Sequence, residues 1–464
     1  MPVSAADIDA VLGLVDDQLD LSLERLKELL RIKSISTDPA YAAETRRAAE
    51  WLAADLKAEG FDASVRDTPG HPMVVGHDKS AGGPHVLFYG HYDVQPVDPI
   101  ALWDTDPFEP NLVPQPDGDT LIVARGSSDD KGQLLTFLEA CRAWRAVHGA
   151  LPLKVSVFLE GEEESGSRSL AGFLDSARDE LSADIALVCD TDLWDAKTPS
   201  VVTMLRGTVG EEIEITCASH DLHSGMYGNA ARNPIQVLAE IIASLRTEDG
   251  GVAIDGFYDG VSELAEDVAA QWRRLPYDEQ AFLAGAGLTT AAGEKGRTVL
   301  EQTRSRPTCE INGITGGYTG DGFKTVIPAK ASAKISFRLV AGQDPQKISD
   351  AFRAHVRERL PADAKVTFKE HGASPAISVP TDGPFLRKAL GALTDEWGNE
   401  AAIIGSGGSI PVAGEFKRRL GMDTLLIGFA RDDDRIHSPN EKYNLSSFRK
   451  GIRSWVRIMA AFAS

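Results

Sequence analysis

The sequence predicts an α/β protein: a mostly parallel sheet flanked by helices, with a second α+β domain carrying an antiparallel sheet inserted into it. Three observations lead there. Over residues 1–205, short apolar β-favouring runs alternate with helical patterns, the signature of a layered α/β domain. Near Arg206 the runs give way to strict apolar–polar alternation, as in half-exposed antiparallel strands. From about Pro375 the first pattern returns. The simplest division makes one domain of residues 1–205 and 376–464 and the inserted domain of residues 206–375.

The elements follow in order. Leu12, Val15, Leu19, Leu23, Leu26 and Leu30 keep a three-to-four spacing, so residues 5–33 read as helix. A second helix over about 41–59 stops at Gly60. FDASVRD alternates as a strand, and HVLFYG (85–90) is a run suited to a strand buried on both faces. LIVARG (121–126) is a short strand, and helix follows over 131–148. LKVSVFLE (153–160), a helix over 167–178 and the strand DIALVCD (184–190) continue the alternation. In the inserted part, TVGEEIEITCAS (208–219) alternates, a helix covers about 233–245, and residues 247–307 are polar and irregular. KTVIPAKASAKISFRLV (324–340) reads as a hairpin or strand pair, DPQKISDAFRAHVRERL as an amphipathic helix and AKVTFKEH as a strand. The last part reads as helix 384–396, a Gly-rich loop 405–408, helix 411–419, strand TLLIGFA (424–430), a loop holding His437, and helix 444–462.

Composition narrows the function classes. The 464 residues carry a formal charge of −21, which argues against a nucleic-acid or anionic-membrane partner. No apolar run approaches the roughly 20 residues of a membrane span. MPVSAADIDAVLGL lacks a basic start followed by a long apolar core. Cys141, Cys189, Cys217 and Cys309 are far apart, as expected of reduced thiols, so the sequence reads as cytoplasmic.

The stretch FLEGEEESGS (158–167) packs Glu160, Glu162, Glu163 and Glu164 behind a buried strand. Carboxylates so placed repel one another unless cations or water compensate them. Ligand sites in α/β proteins lie at the carboxyl ends of strands, which favours a cation site. The neighbouring strand ends deliver a matching set: His91 and Asp93 in GHYDVQP, Asp129 and Asp130 in RGSSDDKG, Asp190 and Asp192 in LVCDTD, and His437 in RIHSPNEK. A single His or Asp after a strand is usually a hydrogen-bonded loop residue; five such groups at successive strand ends are not coincidence. Imidazole and carboxylate together suit zinc, manganese or cobalt better than calcium or magnesium. Residues two apart on an extended chain share a side, so Asp93 can hold the second nitrogen of His91.

These motifs, in order, resemble the di-zinc metallopeptidase family of carnosinases, cytosolic non-specific dipeptidases, aminoacylase and succinyl-diaminopimelate desuccinylase. GHYDVQP, DPFEP, RGSSDDKG, EGEEESGS, DLHSG, KTVIP, GGSIP and HSPNEK are closest to its dipeptidase branch. The resemblance implies two divalent cations, zinc first with manganese or cobalt as alternatives. His91 and Asp190 would bind one, Glu164 and His437 the other, and Asp129 both. It also implies a cis peptide at Asp129–Asp130, Glu163 as general base acting on a metal-bridging water, and Asp93 orienting His91. The inserted domain would act as lid and homodimer interface, His223 in DLHSG would reach the partner's site to stabilise the oxyanion, and Arg338, Thr325 and Ser409 would contact substrate.

In two places the sequence departs from the family pattern, one of them TDLWD (191–195), which differs from the usual run after the metal-binding Asp. Gly405 and Ser406 stand where relatives of this kind usually carry Arg-Glu, which bears on side-chain preference. Asp192 is an alternative to Asp190 as ligand, although spacing to the downstream LRG favours Asp190. The implied activity is metal-dependent hydrolysis of dipeptides with a free C-terminal carboxylate, the partners being small peptides. An N-acyl-amino-acid amidohydrolase or desuccinylase, or a non-catalytic metal-binding protein, are the alternatives.

Overall fold

The computed structural model describes residues 4–407 and 410–464. It divides into two compact units: Met1–Thr203 with Val379–Ile404 and Pro411–Ser464, and Met204–Ser378 with Gly405–Ile410.

In the first unit, sheet order runs Asp62–Arg66, Met73–Asp78, Lys154–Glu160, His85–His91, Ile185–Val188, Thr424–Leu426. The central pairings are parallel: His85–His91 lies between Lys154–Glu160 and Ile185–Val188, and Thr424–Leu426 continues beside the latter. Their apolar runs are almost wholly buried, as sheets covered on both faces require. Phe88 stacks on Phe137 at 4.0 Å between centroids, and Trp455 of the terminal helix Leu445–Ala463 meets both edge-on. That fixes the strand His85–His91 against the helix Lys131–His148. The approach is close enough that a Cβ on Gly90 would lie 2.7 Å from Leu134 Cβ and 2.9 Å from the Asp130 carboxylate.

Several sequence expectations change in detail. The first helix is two, Ala5–Asp17 and Leu19–Leu30, broken at Gln18. LIVARG does not join the main sheet. Its strand Thr120–Val123 sits in a separate antiparallel sheet between Asn111–Pro114 and Lys442–Asn444. The strand Met73–Asp78, which runs antiparallel to Lys154–Glu160, has no counterpart in the sequence reading. TLLIGFA contributes only the strand Thr424–Leu426, and the helix expected over 411–419 is Pro411–Glu415 followed by a wider helical turn, Phe416–Leu420.

The second unit is built on an antiparallel sheet, Thr308–Gly316, Lys330–Leu339, Gly207–Thr216, Lys365–Ser374 in spatial order. Gly207–Thr216 alternates buried and half-buried residues along its whole length, so one face packs and the other is open. Val209, Ile213, Ile215, Phe337 and Phe352 form the core with Val237, Leu238 and Ile241 of the helix Pro234–Ala243. The hairpin or strand pair expected over 324–340 is two strands that do not pair with each other. Val326–Ile327 pairs instead with Leu222–His223, and only Lys330–Leu339 enters the main sheet. The irregular stretch 247–307 holds the short helices Glu266–Trp272, Glu279–Gly285 and Val299–Arg304. Among the described residues, no helix is long and apolar enough to cross a membrane.

Candidate metal centre

Parallel pairing aligns the strand ends of the first unit. His91 is the last residue of its strand and sits opposite Glu160. Asp190 follows Ile185–Val188 by two residues, while Glu163 and Glu164 lie on the turn Glu163–Ser165 just beyond Lys154–Glu160. Asp129 and Asp130 open the helix Lys131–His148, and the peptide between them is cis. His437 comes from the loop before Lys442–Asn444 and takes a left-handed backbone, φ 61°.

Two sets of donors result. His91 Nε2 lies 3.0 Å from Asp129 Oδ1 and 3.8 Å from Asp190 Oδ2. His437 Nε2 lies 2.9 Å from Asp129 Oδ2 and 3.3 Å from Glu164 Oε2. Within each set the donor atoms lie within 4.8 Å of one another, and Asp129 belongs to both, one oxygen facing each histidine. Asp192 belongs to neither; its backbone pairs with Ala430.

The surrounding polar groups hold these donors in place. His91 Nδ1 meets the Asp93 carbonyl oxygen at 3.1 Å and its carboxylate at 3.5 Å. The Asp93 carboxylate in turn accepts the backbone N–H groups of Glu163 and Glu164 at 3.2 and 3.0 Å. Gln95 Nε2 donates to Glu164 at 2.7 Å. Asp130 accepts the His91 backbone N–H at 3.0 Å.

Burial pushes the Asp190 carboxyl well up, and pushes Glu163 up to about 7, with nearby Glu164 and Asp93 adding to the rise against the pull of His91. Hydrogen bonds to Asp129 and Glu164 hold the His437 imidazole up to about 10. Burial alone would lower His91, but its bonds to Asp129 and Asp93 outweigh that and push it well up. A buried acidic cluster of this kind demands positive charge. The mixed imidazole–carboxylate donors fit divalent transition-metal cations, with Asp129 able to serve two.

Sequence reasoning missed Glu441. Its wholly buried carboxylate takes Arg125 Nη1 at 2.6 Å and the N–H groups of Gly126, Ser128 and Asp129 at 3.0, 2.9 and 3.1 Å. It therefore shapes the loop that presents Asp129. Asp434 assists through Ser128 Oγ at 2.7 Å and Lys442 Nζ at 2.7 Å. Glu441 stands within HSPNEK, but its role leaves no local sign, because its partners lie 312 to 316 residues away.

The remaining expected residues lie in the second unit. His223 is exposed, with Nδ1 accepting the Gly225 N–H at 3.0 Å. Thr325 is exposed and its carbonyl accepts Ser224 N–H at 3.1 Å. Arg338 lies on the open face of the sheet, in register with Thr308 and Thr208. Ser409 lies outside the described residues.

His91, Asp190 and Glu164 from beyond the parallel strands, joined by Asp129 and His437 from neighbouring loops and with half-buried Glu163 in neither set, fit a metal-dependent hydrolase. The chain belongs to peptidase family M20/M25/M40, whose family model matches residues 87–461. It is 30% identical over 455 residues to a Cys-Gly metallodipeptidase of Candida albicans, covering 93% of this chain and 92% of the relative. Among solved structures, an M20 family metallo-carboxypeptidase from Sulfolobus solfataricus superposes with a TM-score of 0.80 at 30% identity, covering 95% and 99% of the two chains. Human carnosine dipeptidase 1 gives 0.78 at 26% identity over the whole of both chains. Members of the family use divalent metals, in keeping with the two donor sets.

Proposed function

We propose that this chain hydrolyses dipeptides that carry a free C-terminal carboxylate. The observation that carries the reading is the pair of donor sets sharing Asp129, with half-buried Glu163 next to the ligand candidate Glu164 and in neither set. The kinship with a Cys-Gly metallodipeptidase and with human carnosine dipeptidase 1 supports the substrate class. His91, Asp129 and Asp190 would hold one cation, and Asp129, Glu164 and His437 a second, with zinc as first choice and manganese or cobalt as alternatives. Divalent cations there would supply Lewis acidity toward the scissile carbonyl and toward water.

The chain's own residues do the rest. Glu163 takes the proton of the attacking water and passes it to the leaving amine, a task open to a carboxylate that belongs to neither donor set. Asp93 keeps His91 oriented through Nδ1. Arg338 grips the substrate carboxylate with its planar pair of donors, aided by Thr325 and Ser409. In the proposed homodimer, formed through the second unit, the partner subunit's His223 stabilises the oxyanion.

The experiment is hydrolysis before and after chelation, with zinc, manganese and cobalt restored singly. The panel holds dipeptides, a tripeptide, an N-acetyl amino acid and N-succinyl-diaminopimelate. Cleavage of dipeptides, lost on chelation and restored by metal, is the expected result. Faster cleavage of the acyl substrates would make the chain an acyl-amino-acid hydrolase instead.

A further inference from the structure

The second unit contains a cavity of about 520 Å³ on the open face of its sheet. Four arginines and two glutamates line it: Arg206, Arg246, Arg306, Arg338, Glu294 and Glu310. Both acids are already matched. Glu310 takes Arg246 Nη2 at 2.9 Å, and Glu294 takes Arg306 Nε at 2.9 Å. Among the described residues, neither Arg206 nor Arg338 forms an ion pair with a carboxylate, so the wall keeps two positive charges in a chain of net charge −21. Arg206 spends its Nε on the Gly407 carbonyl at 3.3 Å, which aims the guanidinium and leaves its terminal nitrogens as donors. Burial, with repulsion from Arg338 and Arg304, holds Arg206 down to about 10. Bringing in an anion relieves that cost.

The Gly-rich loop singled out in the sequence keeps this wall open. Arg304 Nη1 donates to the Gly405 carbonyl at 2.9 Å. A Cβ on Gly405 would lie 2.7 Å from the Arg304 backbone oxygen, and one on Gly407 would lie 3.0 Å from Arg206 Nη2. A side chain at Gly405 would press on the Arg304 backbone, and one at Gly407 on the Arg206 guanidinium.

We infer that Arg206 and Arg338 together recognise a dianionic C-terminal residue, so that the preferred substrates are dipeptides ending in glutamate or aspartate. This rests on the dipeptidase reading, in which Arg338 takes the α-carboxylate; Arg206 takes the side-chain carboxylate.

The test compares Ala-Glu with its neutral isostere Ala-Gln on the metal-loaded enzyme, alongside calorimetric binding of glutarate. The expected kcat/KM ratio favours Ala-Glu by about tenfold or more, expressed in KM, since a charge-assisted pair is gained. Arg206→Gln brings the ratio near one, and Arg206→Lys, which keeps the charge, retains part of it. Cleavage of both dipeptides with a wild-type ratio near one overturns the inference and leaves the dipeptidase reading standing. If neither dipeptide is cleaved, that reading falls. Glutarate binding that Arg206→Gln abolishes then still supports the anion site, and absence of binding overturns it.

Discussion

Glu163 and Glu164 are adjacent in sequence and chemically alike, yet the proposed mechanism gives them different tasks. The Asp93 carboxylate fixes both backbone N–H groups, so the turn points one side chain at Asp129 and His437 and leaves the other outside the donor sets. Composition announces an acidic cluster there, and this turn is what sets the proposed ligand apart from the proposed base. Glu163→Gln is therefore expected to keep its metal content, read by elemental analysis, while kcat falls by at least about 10²-fold, since an amide cannot carry the proton. Turnover close to wild type would remove Glu163 from the role of base. The same contrast separates Asp190 from Asp192. Two residues apart, only the first brings an oxygen near His91.

The parallel strands were legible because their signal is local: runs such as VLFY and VSVF are buried on both faces and admit no other reading. The short strands of the side sheet and the split of 324–340 between two sheets were not, because pairing partners so distant leave no periodic mark. The donors themselves were legible as acids and imidazoles at strand ends. The loop that aims them was not, for it is held by Glu441 from the far end of the chain. That contact is open to a direct test. Glu441→Gln leaves Arg125, itself fully buried, without its counter-charge, and breaking such a pair costs about 3–5 kcal/mol. The expected outcome is a lower thermal midpoint together with weaker metal retention on dialysis, because the N–H groups of Ser128 and Asp129 lose their anionic anchor. A variant that is destabilised but holds metal as tightly as wild type would confine Glu441 to a purely structural part.

For the molecule as a whole, metal, protons and folding are linked. Without a cation, protons on His91 and His437 neutralise part of the acidic cluster. His437 is raised in the folded state from its ordinary value of 6.5 to about 10. The stability its proton contributes is thus fully present below 6.5 and is lost as pH rises through about 10. A divalent cation needs neutral imidazoles and must expel these protons to bind. Its stabilising effect is therefore smallest in mild acid, where the proton competes best, and grows as pH rises. The expected observation is a gain in thermal midpoint on adding zinc or manganese to chelator-treated protein that increases from about pH 6 to about pH 8, with protons released into a weakly buffered solution on loading. A gain independent of pH, without proton release, would mean that His91 and His437 do not carry the cations and that the donor sets must be redrawn.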